Sequence, residues 1–432
     1  MRMFAAALLL ATPGIGVAAT PSTAPVDAIF KAGAVRTDIT PSDLAGLNPM
    51  TGRAFDRVHD PIYARILVLQ RGGESVALVT LDLIEAGDMT AFRQRIARET
   101  GIAADHVMIT ATHDHNAPRL GDVTPGALAH PGGAESRVYS EWVYGRIIAA
   151  IRSAQAAARP ARYGVGQGSV DVNVNRDQFT GSGWRIGFNP DGPSDKTLRV
   201  VRFDGDDGKP IAVLFNYPVH ANVMLGINEL SGDLAGAAER HIEAQLGGDA
   251  VALFTQSAIG DQAPRVFKGG QGKSPGDTDT AWRAADAQGL MVGAEVVRVA
   301  SGITDIKAAT RLAAAERVVP CPVKQGINQM ADMKQAQVTS VPLRLSLIRF
   351  DDVALGGVSG EVVTNIERHL QAVSPLRNTL LVSLANDRIG YLPDDAAYDR
   401  PIFEVNGSPV ARGCAESAIV NGLSEMIVEA GR

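Results

Sequence analysis

The chain has 432 residues, with 41 lysines and arginines against 47 aspartates and glutamates, and 45% of it is hydrophobic. This composition is typical of a globular protein with an ample core. The net charge of −6, without any run rich in lysine or arginine, argues against nucleic acid or an anionic lipid surface as a partner.

The N-terminus carries the pattern of a secretory signal. Arg2 precedes an apolar stretch that ends in the small residues Val17, Ala18 and Ala19, where a signal peptidase can cut. No later stretch reaches about 18 apolar residues, so we expect no transmembrane segment. We predict a signal peptide at 1–19, one large domain at 20–432, and a periplasmic or secreted protein.

The remaining chain alternates apolar, β-branched runs with helical segments. This pattern predicts an α/β fold, in which mixed β-sheet layers are flanked by helices. The predicted strands are 64–70, 75–83, 106–113, 211–220, 250–257, 352–358 and 379–386. The predicted helices are 89–100, 141–158, 234–246, 362–373 and 415–430. Glycine- and proline-rich stretches at 121–136, 180–196 and 268–278 are expected to be long loops at a substrate rim.

Two cysteines, Cys321 and Cys414, lie far apart in the chain. An oxidising compartment permits a disulfide between them. Two cysteines do not prove a bridge, so a disulfide and a pair of buried thiols are both open.

Several predicted strands run into a residue that is able to take part in catalysis. These residues are His113 and His115, His220, Asp261, Glu361 and Tyr391. In open α/β sheets, sites form outside the carboxyl ends of strands, so we expect these side chains to converge and a metal site to lie at the strand ends.

A metal site explains part of this set. His113 and His115 are two residues apart on an extended segment and point to the same side, as a metal or its surroundings require. His220 and Glu361 complete a His/His/Glu set with an open position for water. The alternatives are loop histidines bonded to carbonyls, a satisfied core His220, a buried aromatic Tyr391, and an Asp261 that caps a turn.

Two other hydrolase chemistries fit the sequence poorly. Ser257 is not in a GxSxG motif, which argues against a serine hydrolase. Asn116 and Ala117 stand where the metallo-β-lactamase pattern requires an Asp-His pair.

Taken together, these segments resemble the neutral/alkaline non-lysosomal ceramidase superfamily over almost all of the mature chain. The residues that carry the resemblance are 35–41, 59–65, 112–118, 173–176, 216–220, 231–233, 256–261, 360–361 and 384–391. The resemblance implies one Zn²⁺ per chain, held by His113, His220, Glu361 and Tyr391. It also implies that His115 and Arg176 line the substrate site.

The expected activity is therefore that of a zinc-dependent hydrolase, in which a metal-activated water cleaves an amide bond (ceramide-like or N-acyl) or an ester. We expect a small-molecule or lipid-like substrate, with His115, Arg176 and Asp261 as candidate catalytic residues. His115 would move protons or orient water, and Arg176 would hold a substrate oxygen.

The chain departs from the ceramidase pattern in three places. Ala263 replaces a serine, and Phe403 replaces a tyrosine that helps to polarise the substrate carbonyl. The chain also ends soon after Tyr391, which is expected of a short branch without the C-terminal immunoglobulin-like domain. Two alternatives follow: a catalytically degenerate protein that binds a lipid or glycan, and a metal hydrolase of the amidohydrolase-barrel type.

Overall fold

The computed structural model describes residues 28–120, 133–266, 278–325 and 338–432. The predicted signal peptide at 1–19 lies outside these ranges, as do most of the loops predicted at 121–136 and 268–278. None of the helices in the described ranges has the length and hydropathy needed to span a membrane.

The described strands and helices alternate along the chain. The strands are β1 Lys31–Asp38, β2 Arg57–Val58, β3 Tyr63–Arg71, β4 Glu74–Leu81, β5 Val107–Ala111, β6 Arg159–Ser169, β7 Asn173–Phe179, β8 Trp184–Asn189, β9 Thr197–Gly205, β10 Pro210–Tyr217, β11 Glu229–Leu230, β12 Val251–Gln256, β13 Gln262–Pro264, β14 Ala313–Pro322, β15 Ser340–Phe350, β16 Val353–Val358, β17 Glu361–Val362, β18 Asn378–Val382 and β19 Tyr391–Leu392. The α-helices are α1 Thr90–Thr100, α2 Ala134–Ala157, α3 Asp233–Leu246, α4 Thr278–Gly302, α5 Thr364–Val373, α6 Phe403–Asn406 and α7 Ala415–Glu429.

Two large sheets form the centre of the molecule. The first has eight strands in the order β12-β10-β9-β6-β1-β3-β4-β5, and the second has four in the order β14-β15-β16-β18. The pairs β4–β5, β10–β12 and β16–β18 are parallel, whereas the other neighbours in these two sheets are antiparallel. This mixed arrangement confirms the predicted fold class.

The sheets pack face to face and carry helices on their outer sides. Leu78 and Leu214 of the eight-stranded sheet share one buried cluster with Phe350 and Leu355 of the four-stranded sheet. The opposite face of the eight-stranded sheet packs against α1 to α4, and the outer face of the four-stranded sheet packs against α5 and α7. Alternation of apolar side chains along each strand supplies both faces, which gives four layers.

The open mixed sheet is not a closed ring of eight parallel strands. The amidohydrolase-barrel alternative requires such a ring. That alternative is therefore wrong for this chain.

The predicted elements differ from the structure in four places. Helix α2 begins at Ala134 rather than at 141. Helix α5 begins at Thr364 rather than at 362, because 361–362 pairs with β19 as a strand. The loop predicted at 180–196 contains strand β8, which pairs with β7, and the sequence analysis did not predict helix α4.

Cys321 and Cys414 form a disulfide. It joins β14 to the start of α7, across 93 residues of sequence. The structure thus decides between the two possibilities that the sequence left open.

Candidate metal centre

His113 follows β5 in a backbone conformation that few residues adopt. Its φ of 58° lies in the left-handed region, which turns the chain sharply after the strand. The ring Nδ1 lies 2.8 Å from the carbonyl oxygen of Ile84, so Nδ1 carries the hydrogen of this bond. Nε2 is then left with a free lone pair, as a metal ligand requires.

His220 follows β10 and is fully buried. Its Nε2 lies 3.3 Å from Oε2 of Glu361. Burial lowers the pKa of His220 to about 3, and the nearby charge of Arg176 adds to this effect. The ring is therefore neutral at physiological pH, which is the form that binds a metal.

Glu361 lies in β17, whose pairing with β19 brings it opposite Tyr391. Its Oε2 is 3.3 Å from Nε2 of His113 and 3.3 Å from Nε2 of His220, and it has no hydrogen-bond partner among the described residues. Burial alone would raise the pKa of Glu361, but His113 and Arg388 together hold it well below its ordinary value. The carboxylate is thus ionised beside two imidazoles.

His115 lies next to these residues and is only partly buried. Its Nε2 is 3.3 Å from Nε2 of His113, and its Nδ1 has no hydrogen-bond partner in the described part of the chain. Burial, together with His113 and His220, holds the pKa of His115 well below its ordinary value. The nitrogens of the three imidazoles lie within 4.8 Å of one another, which places His115 within reach of the same ion.

Tyr391 and Arg176 close another side of the site. The Arg176 guanidinium lies 5.3 Å from the centre of the Tyr391 ring, and its Nη1 is 3.2 Å from Nε2 of His220. Burial and the charge of Glu361 raise the pKa of Tyr391 above its ordinary value. The phenol is therefore protonated in this arrangement.

Arg176 is already paired with a carboxylate. Its Nε donates to Oε1 of Glu404 at 2.8 Å, on α6. Asp177 lies beside Glu404, and burial together with the Glu404 charge raises the pKa of Asp177 to about 9. A protonated Asp177 thus accompanies the ion pair at neutral pH.

Asp261 lies beside the site, but its side chain is committed to the backbone of a helix. Oδ1 accepts from the backbone N–H and the hydroxyl of Thr364, at the start of α5. Oδ2 accepts from Asn175, and the Asp261 carbonyl accepts from the backbone N–H of Arg176. These bonds give Asp261 the part of a helix cap that also positions Arg176.

The two departures from the ceramidase pattern lie at this site or next to it. Ala263 is buried in β13, opposite Val174 of β7. Phe403 begins α6, and its ring is 5.4 Å from that of Tyr391. Neither side chain supplies a hydroxyl, so two donors that the pattern expects are missing.

The donor set fits a divalent metal ion. Two imidazole nitrogens face one carboxylate oxygen that has no partner among the described residues, all in a buried position, and a further imidazole and a phenol stand beside them. Nitrogen and oxygen donors of this kind suit Zn²⁺. An ionised, buried carboxylate oxygen without a hydrogen-bond donor is costly unless a cation partners it.

The sequence analysis did not assign a role to several charged residues of the site. Arg388 donates twice to Glu361, and Glu404 binds Arg176. The only signal for Arg388 was a charged residue within the segment 384–391. Nothing local distinguishes Glu404, whose partner is 228 residues away.

Comparison with known proteins places this site in a family. Two solved structures are similar: the neutral ceramidase from Pseudomonas aeruginosa, with a TM-score of 0.74 and 20% identity over 93% of this chain and 74% of that chain, and a ceramidase complexed with C2, with a TM-score of 0.70 and 18% identity over 93% and 76%. At these identities the likeness shows the fold alone. No curated protein matches the chain.

The profile of the neutral/alkaline non-lysosomal ceramidase N-terminal region matches residues 30–340. This span includes His113, His115, Arg176, His220 and Asp261. Glu361 and Tyr391 lie beyond it and are reached through the fold. The match covers well over half of the sequence, and the chain therefore belongs to the neutral/alkaline non-lysosomal ceramidase family, confirming the resemblance.

Proposed function

We propose that the protein is a secreted or periplasmic zinc-dependent hydrolase that cleaves the amide bond of a ceramide-like or N-acyl lipid, or a related ester. Membership of a ceramidase family supports a hydrolase that acts on amide bonds. The observation that carries the proposal of a metal is the unpartnered Oε2 of Glu361, 3.3 Å from Nε2 of both His113 and His220 in the described structure.

One zinc ion per chain would be held by His113, His220, Glu361 and Tyr391. When bound, such an ion lowers the pKa of a coordinated water to about 7 and polarises a carbonyl group. The neutral His220 ring and the ionised Glu361 carboxylate have the protonation states that metal ligands require.

His115 supplies the proton transfers. Its Nδ1 has no partner within the described residues, and its ring adjoins the metal ligands. A neutral imidazole in this position accepts a proton from the attacking water and returns it to the departing nitrogen. His115 therefore acts as general base and then as general acid.

Arg176 provides positive charge on the substrate side of the site. Its guanidinium is fixed by Glu404 and by the Tyr391 ring, and its backbone by the bond to Asp261. A fixed cation stabilises the negative charge that develops on the carbonyl oxygen. Because Glu404 already pairs with Arg176, a neutral acyl group suits this position better than a substrate carboxylate.

Export to the periplasm or beyond is supported by two features. Residues 1–19 have the pattern of a signal peptide. The Cys321–Cys414 disulfide is of a kind that persists in oxidising compartments.

Turnover assays test this proposal directly. The purified protein, with zinc added, is assayed against fluorescent ceramides, N-acyl amino acids and fatty esters, and His115→Ala is compared with the control His369→Ala, which alters an exposed histidine on α5. We expect cleavage of at least one amide class, loss with a chelator, and a decrease of about 100-fold or more in His115→Ala alone.

A binding protein is the second candidate, favoured by Ala263 and Phe403, which lack the expected hydroxyls. Tight binding of a lipid amide without release of fatty acid, at any metal content, would support it over the hydrolase.

A further inference from the structure

We propose that Arg388, held in turn by Glu85 and Arg119, is the positioning residue that makes Glu361 present a single oxygen to the metal site. This inference rests on the proposed metal-dependent function. It concerns three residues to which the family resemblance assigned no role.

The two oxygens of Glu361 are in different situations. Oε1 accepts from Arg388 twice, at 2.9 Å from Nη2 and at 3.2 Å from Nε. Oε2 has no hydrogen bond to any described residue and faces the Nε2 atoms of His113 and His220. The guanidinium therefore occupies one oxygen and leaves the other for a cation.

Arg388 is itself held from behind. Its Nε lies 3.0 Å from Oε2 of Glu85, and Oε1 of Glu85 is 3.3 Å from Nη1 of Arg119. Glu361 is fully buried, and the other three residues are at most 6% exposed. Carboxylates and guanidinium groups alternate, so each buried charge has an opposite charge as its neighbour.

Stability alone does not explain such a chain of charges. Buried ion pairs contribute little compared with apolar side chains of similar volume, because desolvation offsets the attraction between the charges. Their geometry, however, fixes the orientation of each member. A chain that ends at an unpartnered oxygen of a proposed ligand is suited to orient that ligand.

The same segment of backbone also orients His113. The carbonyl oxygen of Ile84, adjacent to Glu85, lies 2.8 Å from Nδ1 of His113. Ile84 N–H donates to the Pro118 carbonyl, and Leu120 N–H donates to the Glu85 carbonyl, which ties the segment to the residues on either side of Arg119. The segment after β4 thereby supports two proposed ligands at once.

The test compares zinc affinity, measured with a competing chelator, in the wild type and in two variants, Arg388→Lys and Glu85→Gln. Lysine keeps the charge of Arg388 but cannot make both bonds from one plane. The change from glutamate to glutamine at position 85 keeps the side-chain volume and removes the charge. We expect zinc affinity to fall about 10- to 100-fold in both variants.

The matched control is Arg93→Lys. Arg93 is equally buried and pairs with Glu316, outside the site. We expect its zinc affinity to equal that of the wild type. Folded Arg388→Lys and Glu85→Gln proteins with wild-type affinity would overturn the inference while leaving the proposed function intact, whereas a wild type that binds no zinc would overturn both.

X-ray absorption of the zinc-loaded wild type gives a second measurement, which is independent of how the variants fold. We expect one carboxylate oxygen from Glu361 in the coordination shell. Two carboxylate oxygens at bonding distance would contradict the role given to Arg388.

Discussion

Phe403 shows how one missing atom bears on catalysis. Its ring lies 5.4 Å from the Tyr391 ring and 5.6 Å from the Arg176 guanidinium, but it carries no hydroxyl. We expect Phe403→Tyr to raise kcat for an amide substrate, by up to about 100-fold, because an added donor stabilises the developing oxyanion.

Comparison of kcat for Phe403→Tyr with that of the control Phe188→Tyr checks this expectation. Phe188 is exposed on β8, and the same change there should leave kcat unaltered. An equal kcat for both variants and the wild type would show that position 403 does not face the reacting carbonyl.

Asp177 makes the stability of the protein depend on pH. Its pKa is raised to about 9 in the folded state by burial and by Glu404, against an ordinary 3.8, so folding favours the protonated carboxyl. The resulting stabilisation is complete below pH 3.8 and is lost as pH rises towards 9. Asp177→Asn, which resembles the protonated acid, removes this dependence.

Urea unfolding at pH 5, 7 and 9 measures the effect. We expect the free energy of unfolding of the wild type to fall, relative to Asp177→Asn, at each step up in pH. A constant difference between the two proteins across this range would show that the pKa of Asp177 is not raised.

The sequence predicted the proposed ligands but not the residues that hold them. His113 and His220 follow apolar strands, and Glu361 lies in a glycine-rich turn, so each is recognisable locally. Arg388 and Glu404 contact residues that are distant in the chain, and only the fold brings them together. Pairing across long sequence separations leaves no local pattern.

Helix α4 shows why a regular element escaped prediction. Gly289 and Gly293 interrupt its apolar pattern, and glycine disfavours helix interiors. In the structure, a Cβ on Gly289 would lie 2.5 Å from the Leu234 carbonyl oxygen of α3, and one on Gly293 would lie 3.0 Å from that of Ala238. Close packing of α3 against α4 thus requires glycine there.

Gly289→Ala should therefore destabilise the protein, although alanine favours helices. We expect a loss of about 1–3 kcal/mol in the free energy of unfolding, because the clash is with backbone. The control is Gly302→Ala, at the exposed end of α4, where an added Cβ meets nothing within 4 Å. Equal stabilities of the two variants would argue against the close α3–α4 contact.

Short strands were a second source of error at this scale. Strands β17 and β19 have two residues each, too few for alternation to be detected. Their pairing nevertheless places Glu361 opposite Tyr391 and delays the start of α5. Tertiary pairing, rather than propensity, sets these boundaries.

At the scale of the whole molecule, the layered α/β architecture followed from the sequence because apolar runs and helical periods alternate along the chain. The order of the strands did not, since β1, β6 and β9 occupy central positions in the large sheet and were not predicted. Strand β6 contains three glycines among its eleven residues, which conceals its strand pattern.

The disulfide contributes to the stability of this architecture. It closes a loop of 93 residues between β14 and α7. The double variant Cys321→Ser/Cys414→Ser should lose about 2–5 kcal/mol in the free energy of unfolding, because the unfolded chain is no longer constrained. Denaturant unfolding with and without a reductant measures the difference.

Reductant should lower the unfolding midpoint of the wild type and leave that of the double variant unchanged. A wild-type midpoint that does not respond to complete reduction would contradict the stabilising role of the bridge.

The central claim is that His113, His220 and Glu361 form a metal site in a ceramidase-family hydrolase. Elemental analysis of the purified protein, after zinc loading and removal of free ions, tests it most directly, with His220→Ala, Glu361→Ala and the control His369→Ala measured beside the wild type. We predict one zinc per chain in the wild type and the control, and none in the other two variants. A wild type without zinc, or full zinc content in both ligand variants, would contradict the claim.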